Sequence, residues 1–80
     1  MKLGDGLVPI RSFHSPDGLH QLVIFQRPDG FFGYASERFT VEDGDAYWEP
    51  AEASGIYESA EKAERSALSE VTWFSGKISN

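Results

Sequence analysis

The sequence predicts an α+β domain in which an antiparallel β-meander of three to four strands packs against one C-terminal α-helix. Three observations lead to this prediction. Residues 7–50 contain short runs rich in β-branched and aromatic residues, glycine-containing turns separate these runs, and apolar residues take up helical spacing later in the chain. Short strand-like runs joined by tight turns are typical of an antiparallel meander.

The tripeptide Pro-Asp-Gly occurs at 16–18 and again at 28–30. Proline presets the backbone for a type I turn, aspartate tolerates the next position, and glycine takes the left-handed conformation that closes a three-residue hairpin loop. Residues 42–44, Glu-Asp-Gly, are predicted to act in the same way. Within a single domain of residues 1–80, the turns delimit predicted strands at about 7–14, 19–27, 31–41 and 45–50.

A helix is predicted over residues 59–75, after a short connector at 51–55. Ser59 is a favourable N-cap residue, and Glu61 suits the positive end of the helix dipole. Gly76 is expected to end the helix. Apolar residues at helical spacing form one narrow stripe; they are Ala60, Ala63, Ala67, Val71 and Phe74. Because much of this stripe is alanine, the helix can lie close to a sheet.

If every hairpin loop has three residues, the pairing register follows directly. His14 then faces His20, His20 faces Arg38, and Arg38 faces Trp48. One face of the sheet carries Ile10, Leu22, Ile24 and Tyr34. The opposite face carries Phe13, Val23, Phe25, Phe31, Phe39, Val41 and Tyr47. The helix is expected on the first face, which has fewer full charges, and the second is left as an apolar patch able to bind a partner.

The composition argues against several classes of function. The chain of 80 residues has a net charge of −6, which disfavours binding to a phosphate backbone, and it has no cysteine for disulfides, thiolate metal sites or cysteine nucleophiles. The sequence has no long apolar run of the kind that would indicate a signal peptide or a membrane span. These features predict a cytoplasmic bacterial protein that has no membrane partner and is acidic enough to suit a basic protein partner.

No pattern in the sequence indicates catalysis, a metal or a cofactor. His14 and His20 provide too few ligands for a metal site, and Arg38 beside them would repel a cation. The acidic residues around Gly44 lack the ligand spacing of a calcium loop. A nucleophile elbow and a phosphate-binding glycine loop are also missing from the sequence. The chain is therefore predicted not to be an enzyme.

The favoured function is binding of a protein partner, or self-association, through the aromatic face of the sheet. The predicted contact residues are Phe25, Phe39, Tyr47 and Trp73. Trp73 has two open interpretations: an exposed anchor opposite the alanine stripe, or a side chain that turns inward where the helix loosens near Val71. The alternative function is a nucleic-acid-binding module that uses Arg11, Arg38 and Trp48.

The segment "GIYESAEKAERSALSE", residues 55–70, resembles the end of a double-stranded RNA-binding domain, in which a serine begins the last helix and alanines follow four and eight residues later. Ser59, Ala63 and Ala67 match that spacing, so the resemblance implies a β-β-β-α fold. The family binds phosphates with lysines at this helix start, where this chain has Glu58, Glu61, Lys62 and Glu64. The family's first helix has no counterpart here. Residues 54–64 are also similar to small uncharacterised bacterial proteins with an SGIYxSAExAE motif. The strand pair and the Glu- and Ala-rich helix resemble antitoxin domains of the HicB family, whose proline-rich central motif is absent here.

Overall fold

The computed structural model describes residues 6–71 and 73–74, and these form a four-stranded antiparallel sheet with one helix packed on it. The strands follow one another across the sheet in the order β1-β2-β3-β4. Their bounds, with those of the helix, are β1 Val8–His14, β2 His20–Gln26, β3 Phe32–Glu42, β4 Asp45–Tyr57 and α1 Ala60–Glu70. The predicted α+β class and the meander are therefore confirmed.

The second Pro-Asp-Gly turn forms the predicted three-residue loop. The Arg27 N–H donates to the Phe31 carbonyl at 2.7 Å, and Gly30 takes the left-handed conformation with φ 90°. The Asp29 carboxylate accepts the Phe31 N–H at 3.0 Å and hydrogen bonds from Nε and Nη2 of the Arg27 guanidinium. These bonds, the Arg27 bond foremost, lower the pKa of Asp29 from its ordinary value.

The first Pro-Asp-Gly turn closes differently, because its loop has four residues. The Ser15 N–H donates to the His20 carbonyl at 2.9 Å, so Leu19 belongs to the loop. His14 consequently pairs with Gln21 and not with His20, as the three-residue loop would have required. The same shift pairs Phe13 with Leu22 and moves Phe13 to the face that the helix covers. The predicted position of Phe13 on the opposite face was wrong.

The third turn is also shorter than predicted, since Glu42 pairs directly with Asp45. Asp43 and Gly44 both have positive φ, 51° and 84°, which is the signature of a two-residue type I′ turn. Its twist matches that of the flanking strands. The one-residue change pairs Arg38 with Glu49 in place of Trp48.

Strand β4 extends well past Pro50, the predicted end. The segment 51–55, predicted as a connector, continues the strand to Tyr57. Two register shifts accommodate it: Ala35 pairs with Ala53 while Glu37 pairs with Pro50, and a second shift lies near Gly55. Each shift places one extra residue on β4, so β3 keeps a regular alternation of its side chains between the two faces.

Helix α1 covers the face that contains Leu22 and Ile24, as predicted. Ser59 is the N-cap, and its hydroxyl accepts the Lys62 N–H at 3.1 Å. The helix ends at Glu70, where the prediction extended it to residue 75, because Val71 is extended with φ −96° and ψ 103°. Gly76, the expected stop, lies outside the described residues. The buried core contains Leu22, Ile24, Tyr34, Ala63, Ala67, Val71 and Phe74.

Hydrogen bonds between tyrosines and the helix fix its far end on the sheet. The buried Tyr34 hydroxyl donates to Glu70, and burial together with this carboxylate raises the pKa of Tyr34. The Tyr57 ring stacks on Tyr34 with centroids 6.2 Å apart, and its hydroxyl is hydrogen-bonded to Ser66 at 2.8 Å. The helix is therefore held on the sheet by apolar contacts and by hydrogen bonds that form only when the helix lies at this position.

Ser59→Ala is expected to lower the free energy of unfolding by about 1 kcal/mol, because it removes the side-chain acceptor at the start of the helix. Urea denaturation followed by circular dichroism measures the change. Ser69→Ala, at an exposed position inside the same helix, is the matched control and should leave stability unchanged or slightly raised. Equal losses in the two variants would contradict the capping role.

Asp29→Asn is expected to reduce the sensitivity of the fold to acid. Because the folded-state pKa of Asp29 lies below its ordinary value, the carboxylate stabilises the fold above about pH 4, and this contribution is lost as the pH falls through the folded-state pKa. The measurement is the free energy of unfolding from neutral to strongly acidic pH for both proteins. Two pH profiles of the same shape, separated by a constant difference in the free energy of unfolding, would contradict a pH-dependent contribution from this carboxylate.

Candidate functional site

The face of the sheet opposite α1, called here the open face, is covered by no helix or strand of residues 6–71 and 73–74. It carries alternate residues of each strand. From β2 and β3 come Gln21, Val23, Phe25, Gly33, Ala35, Glu37, Phe39 and Val41, and from β4 come Ala46, Trp48, Pro50, Ala53 and Gly55. These residues include no lysine or arginine, and Glu37 is their single carboxylate. The Glu37 carboxylate accepts a 2.7 Å hydrogen bond from the side-chain amide of Gln21, a neighbour on the same face.

One end of the open face is a tight contact between an aromatic ring and two glycines. Phe25 pairs with Gly33, and a Cβ on Gly33 would lie 2.9 Å from the Phe25 ring and 2.8 Å from the Ser54 carbonyl oxygen. Gly33 in turn pairs with Gly55, where a Cβ would lie only 3.1 Å from the Gly33 Cα. The Phe25 ring therefore covers backbone that has no side chain of its own. Beside it, Ala35 and Ala53 form a low surface.

The other end of the open face lies on a projecting ribbon. Strand β2 begins at His20, which pairs with Arg38, and the Leu19 carbonyl accepts the Phe39 N–H at 2.8 Å. Past this bond β3 and β4 continue as a two-stranded hairpin; residues 39–48, with the Phe39–Trp48 pair at the base, are called here the arm. Phe39 and Trp48 pair across the arm with ring centroids 5.3 Å apart and an interplanar angle of 66°. Phe39 is 36% exposed and Val41 on the same face is 68% exposed. A two-stranded ribbon buries little surface, so its aromatic pair is left partly in water.

A cleft of about 320 Å³ lies on the helix side of the sheet, between β2, β3, β4 and the end of the chain that the structure describes. The Trp73 ring stacks on His20, with centroids 5.7 Å apart and an interplanar angle of 21°. The charged groups that line the cleft have partners: Arg38 forms an ion pair with Glu49 at 2.5 Å, and Glu52 accepts a hydrogen bond from Ser36. The remaining lining residue is Ala51.

The Arg38–Glu49 pair accounts for the electrostatics of this cleft. The hydrogen bond and charge of Glu49 raise the pKa of Arg38, and Arg38 followed by Thr40 lowers the pKa of Glu49. Both side chains are substantially exposed, so water screens the pair and its contribution to stability is small. The Arg38 guanidinium is nevertheless paired with the Glu49 carboxylate, and this pairing reduces the capacity of Arg38 to bind an anionic ligand.

The four predicted partner-contact residues divide between the two faces. Phe25 and Phe39 lie on the open face, at its opposite ends. Tyr47 pairs with Thr40 on the helix side of the arm, because the two-residue turn shifts β4 by one position. Trp73 contacts His20 and the core, in agreement with the interpretation that it turns inward. The predicted placement of Tyr47 beside Phe39 was wrong.

The residues of the nucleic-acid alternative are not brought together. Arg11 forms an ion pair with Glu64 of the helix at 2.7 Å, and Arg38 is paired with Glu49 on the helix side. Trp48 lies on the opposite face, against Phe39. The histidines considered for a metal also separate, since His14 pairs with Gln21 on the open face while His20 stacks on Trp73. In the described part of the chain, no three His, Cys, Asp or Glu residues form a group that could hold a metal ion.

Sequence reasoning missed Trp48 as the aromatic partner of Phe39. The signal was present in Asp43-Gly44, because an Asp-Gly dipeptide flanked by strand residues favours a two-residue type I′ loop over a three-residue loop. With that loop, Phe39 and Trp48 face each other directly. The choice between the two loop lengths decides which aromatic residues of β4 reach the open face.

Comparison with known proteins gives no relative: no protein-family model, no curated protein and no solved structure matches this chain. The resemblance to the double-stranded RNA-binding domain therefore stays a prediction. The one described helix is too short and too polar to cross a membrane.

Gly33→Ala is expected to destabilise the fold by about 1–3 kcal/mol, because the new Cβ would overlap both the Ser54 carbonyl and the Phe25 ring. Thermal or urea unfolding measures the loss. Phe25→Leu and the double variant complete a mutant cycle that shows how much of the strain arises from the ring. Unchanged stability of Gly33→Ala would show that the strands do not approach as closely as described.

Proposed function

We propose that this chain is a small non-catalytic domain that binds a protein partner through the open face. The observation that carries the proposal is the Phe39–Trp48 pair on the projecting arm, in which Phe39 is exposed, Trp48 is half-buried and the neighbouring Val41 is exposed, with no described element covering them. Aromatic residues are enriched at protein interfaces, and contiguous exposed apolar surface is uncommon unless it binds something.

The open face has the composition of an interface core. Its residues on β2, β3 and β4 include no lysine or arginine, β1 adds His14, and the one carboxylate among the β2, β3 and β4 residues, Glu37, is hydrogen-bonded within the face by Gln21. Depletion of charge at the centre is the compositional mark of protein interfaces. Phe39 is 36% exposed and Phe25 and Trp48 are half-buried, so these three rings supply only part of the about 800 Å² that one partner contributes to a stable interface.

A non-catalytic role agrees with how the charged groups of the helix-side cleft are used. Arg38 is paired with Glu49, and the Glu52 carboxylate accepts a hydrogen bond from the Ser36 hydroxyl, which in turn accepts the Glu52 N–H. None of the described buried side-chain polar atoms is left without a partner. Catalytic groups usually need a carboxylate, cation or histidine directed at a reacting atom, and the pairs in this cleft satisfy one another.

Phe39→Ser is expected to abolish partner capture while leaving the fold intact, because Phe39 lies on the open face outside the buried core. The full chain, immobilised, is exposed to a nuclease-treated lysate of the source organism, and captured protein is quantified by mass spectrometry. We expect at least a tenfold loss, the size expected for an interface hot spot of more than about 1.4 kcal/mol. Thermal unfolding verifies the fold.

Tyr47→Ser is the matched control. Tyr47 is 40% exposed on the helix side of the same arm and precedes Trp48 in sequence. Its replacement by serine removes a similar aromatic surface, but from the face that is not proposed to bind the partner. It should capture partner as the unmodified chain does. Equal losses in the two variants would overturn binding of a protein through the open face. So would a partner that is captured from untreated lysate and not from the nuclease-treated lysate.

A further inference from the structure

We propose that two prolines, Pro9 on β1 and Pro50 on β4, keep this chain from pairing edge to edge with further copies of itself. These two residues are called here the edge prolines. β1 and β4 are the outermost strands of the sheet, so one side of each has no neighbouring strand in the described part of the chain. Such an edge is a template for another strand unless something blocks it. The proposal concerns the edges of the sheet and is independent of binding through the open face.

The register places the backbone nitrogen of Pro50 on the outer side of β4. In an antiparallel pair, the backbone groups of successive residues face alternate sides of the strand. The Phe39 N–H donates to the Leu19 carbonyl, so Phe39, and Glu37 two residues before it, direct their backbone groups towards β2. Glu37 pairs with Pro50, and this pair therefore has no mutual hydrogen bond. The Pro50 nitrogen faces away from β3, at a position where an added strand would need an N–H.

The same reasoning gives Pro9 the same orientation on β1. The His20 carbonyl accepts the Ser15 N–H, so the even-numbered residues of β2 face β1 and the odd-numbered residues, Phe25 among them, face β3. Phe25 pairs with Pro9, and that pair also lacks a mutual hydrogen bond. Each outer strand thus lacks one N–H at an outward position, and the proline ring takes up space that a pairing strand would need.

A β-bulge directly follows each edge proline. On β1 the extra residue is Ile10, and on β4 two residues, Ala51 and Glu52, lie opposite Ser36. A bulge bends its strand and interrupts the regular spacing of the outward N–H and C=O groups. Prolines and bulges on outer strands are devices by which sheet proteins avoid edge pairing. Both outer strands have the two devices in the same order, although their sequences differ.

The charges of the outer strands show which pairing has to be prevented. β1 carries Arg11 and no carboxylate, whereas β4 carries Asp45, Glu49 and Glu52 and no lysine or arginine. Two β4 edges would repel each other, but β4 of one copy is complementary to β1 of the next. In this antiparallel sheet of four strands, β1 and β4 run in opposite directions, so that contact is itself antiparallel. It can repeat from copy to copy and build assemblies larger than a dimer.

The double variant Pro9→Thr with Pro50→Thr tests the proposal, because threonine restores the N–H and favours strand structure. In sedimentation velocity, we expect a weight-average mass more than about twofold above that of the unmodified chain at equal concentration, since head-to-tail pairing does not stop at a dimer. Each single variant leaves one proline in the head-to-tail contact and should sediment nearly as the unmodified chain does. Circular dichroism and thermal unfolding verify the fold.

The chain supplies a matched control, since its other two prolines lie in the loops between strands. Pro16→Thr with Pro28→Thr makes the same chemical change, with a similar gain in freedom of the unfolded chain, and leaves both edges as they are. This control should have the mass of the unmodified chain, and equal association of the two double variants would overturn the proposal. If the threonine variant does not fold, Pro9→Ala with Pro50→Ala restores both N–H groups and takes its place.

Two further measurements distinguish edge pairing from other association. Hydrogen exchange followed by NMR should show the new N–H at position 50 exchanging about tenfold or more slowly in the assembled protein than in dilute protein. Adding Phe39→Ser to the double variant should leave the assembly unchanged, because Phe39 lies on the open face. A double variant with the mass of the unmodified chain, a new N–H that stays unprotected, or an assembly that Phe39→Ser abolishes would overturn the role of the edge prolines.

Discussion

The packing of one short, alanine-rich helix on one face of the sheet is the constraint on which the rest of the structure depends. Ala63 and Ala67 are fully buried and bring the helix close to Leu22, Ile24 and Tyr34. This contact forms the core of the described chain, and Val71 and Phe74 complete it where the chain leaves the helix. Because one helix covers one face, the apolar residues that alternate with the core positions remain on the other.

The consequences differ along the open face. Near its centre, Val23 is 7% exposed, because neighbouring strands on both sides and their side chains shield it. Along the arm, only two strands are present and Phe39 and Val41 remain accessible. The same alternating pattern thus yields a shielded surface where the sheet is wide and an exposed aromatic pair where it narrows. The number of neighbouring strands sets how much of each ring is in water.

Charge is separated between the two faces in a way that bears on function. The cations that are described lie mainly on the helix side or in loops, four of them in ion pairs with nearby acids. Glu37 is the one carboxylate among the open-face residues of β2, β3 and β4, and the paired Glu42 and Asp45 near the end of the arm lie on the helix side. Arg11 and Arg38 also lie on that side, so charge is concentrated on the helix side and the open face is mainly apolar.

The sequence by itself determined the fold class, the helix with its Ser59 cap, the three-residue loop at Pro28–Gly30 and the face under the helix. These features depend on local turn chemistry, on capping and on the periodicity of apolar residues, which are all readable along the chain. Alternation along β2 and β3 also placed Phe25 and Phe39 on one face correctly.

Only the tertiary structure decided the register of β1 and the two register shifts along β4, and these complete the composition of the candidate site. Pro-Asp-Gly closed a four-residue loop at 16–19 and a three-residue loop at 28–30, although the tripeptide is the same, because the pairing of the flanking strands selects the closing hydrogen bond. A change of one residue in a loop transfers every later side chain of that strand to the opposite face. At β4 the two-residue Asp43-Gly44 loop places Trp48, and not Tyr47, opposite Phe39, whereas at residues 16–19 the long-range pairing of the strands outweighed the local preference of the turn.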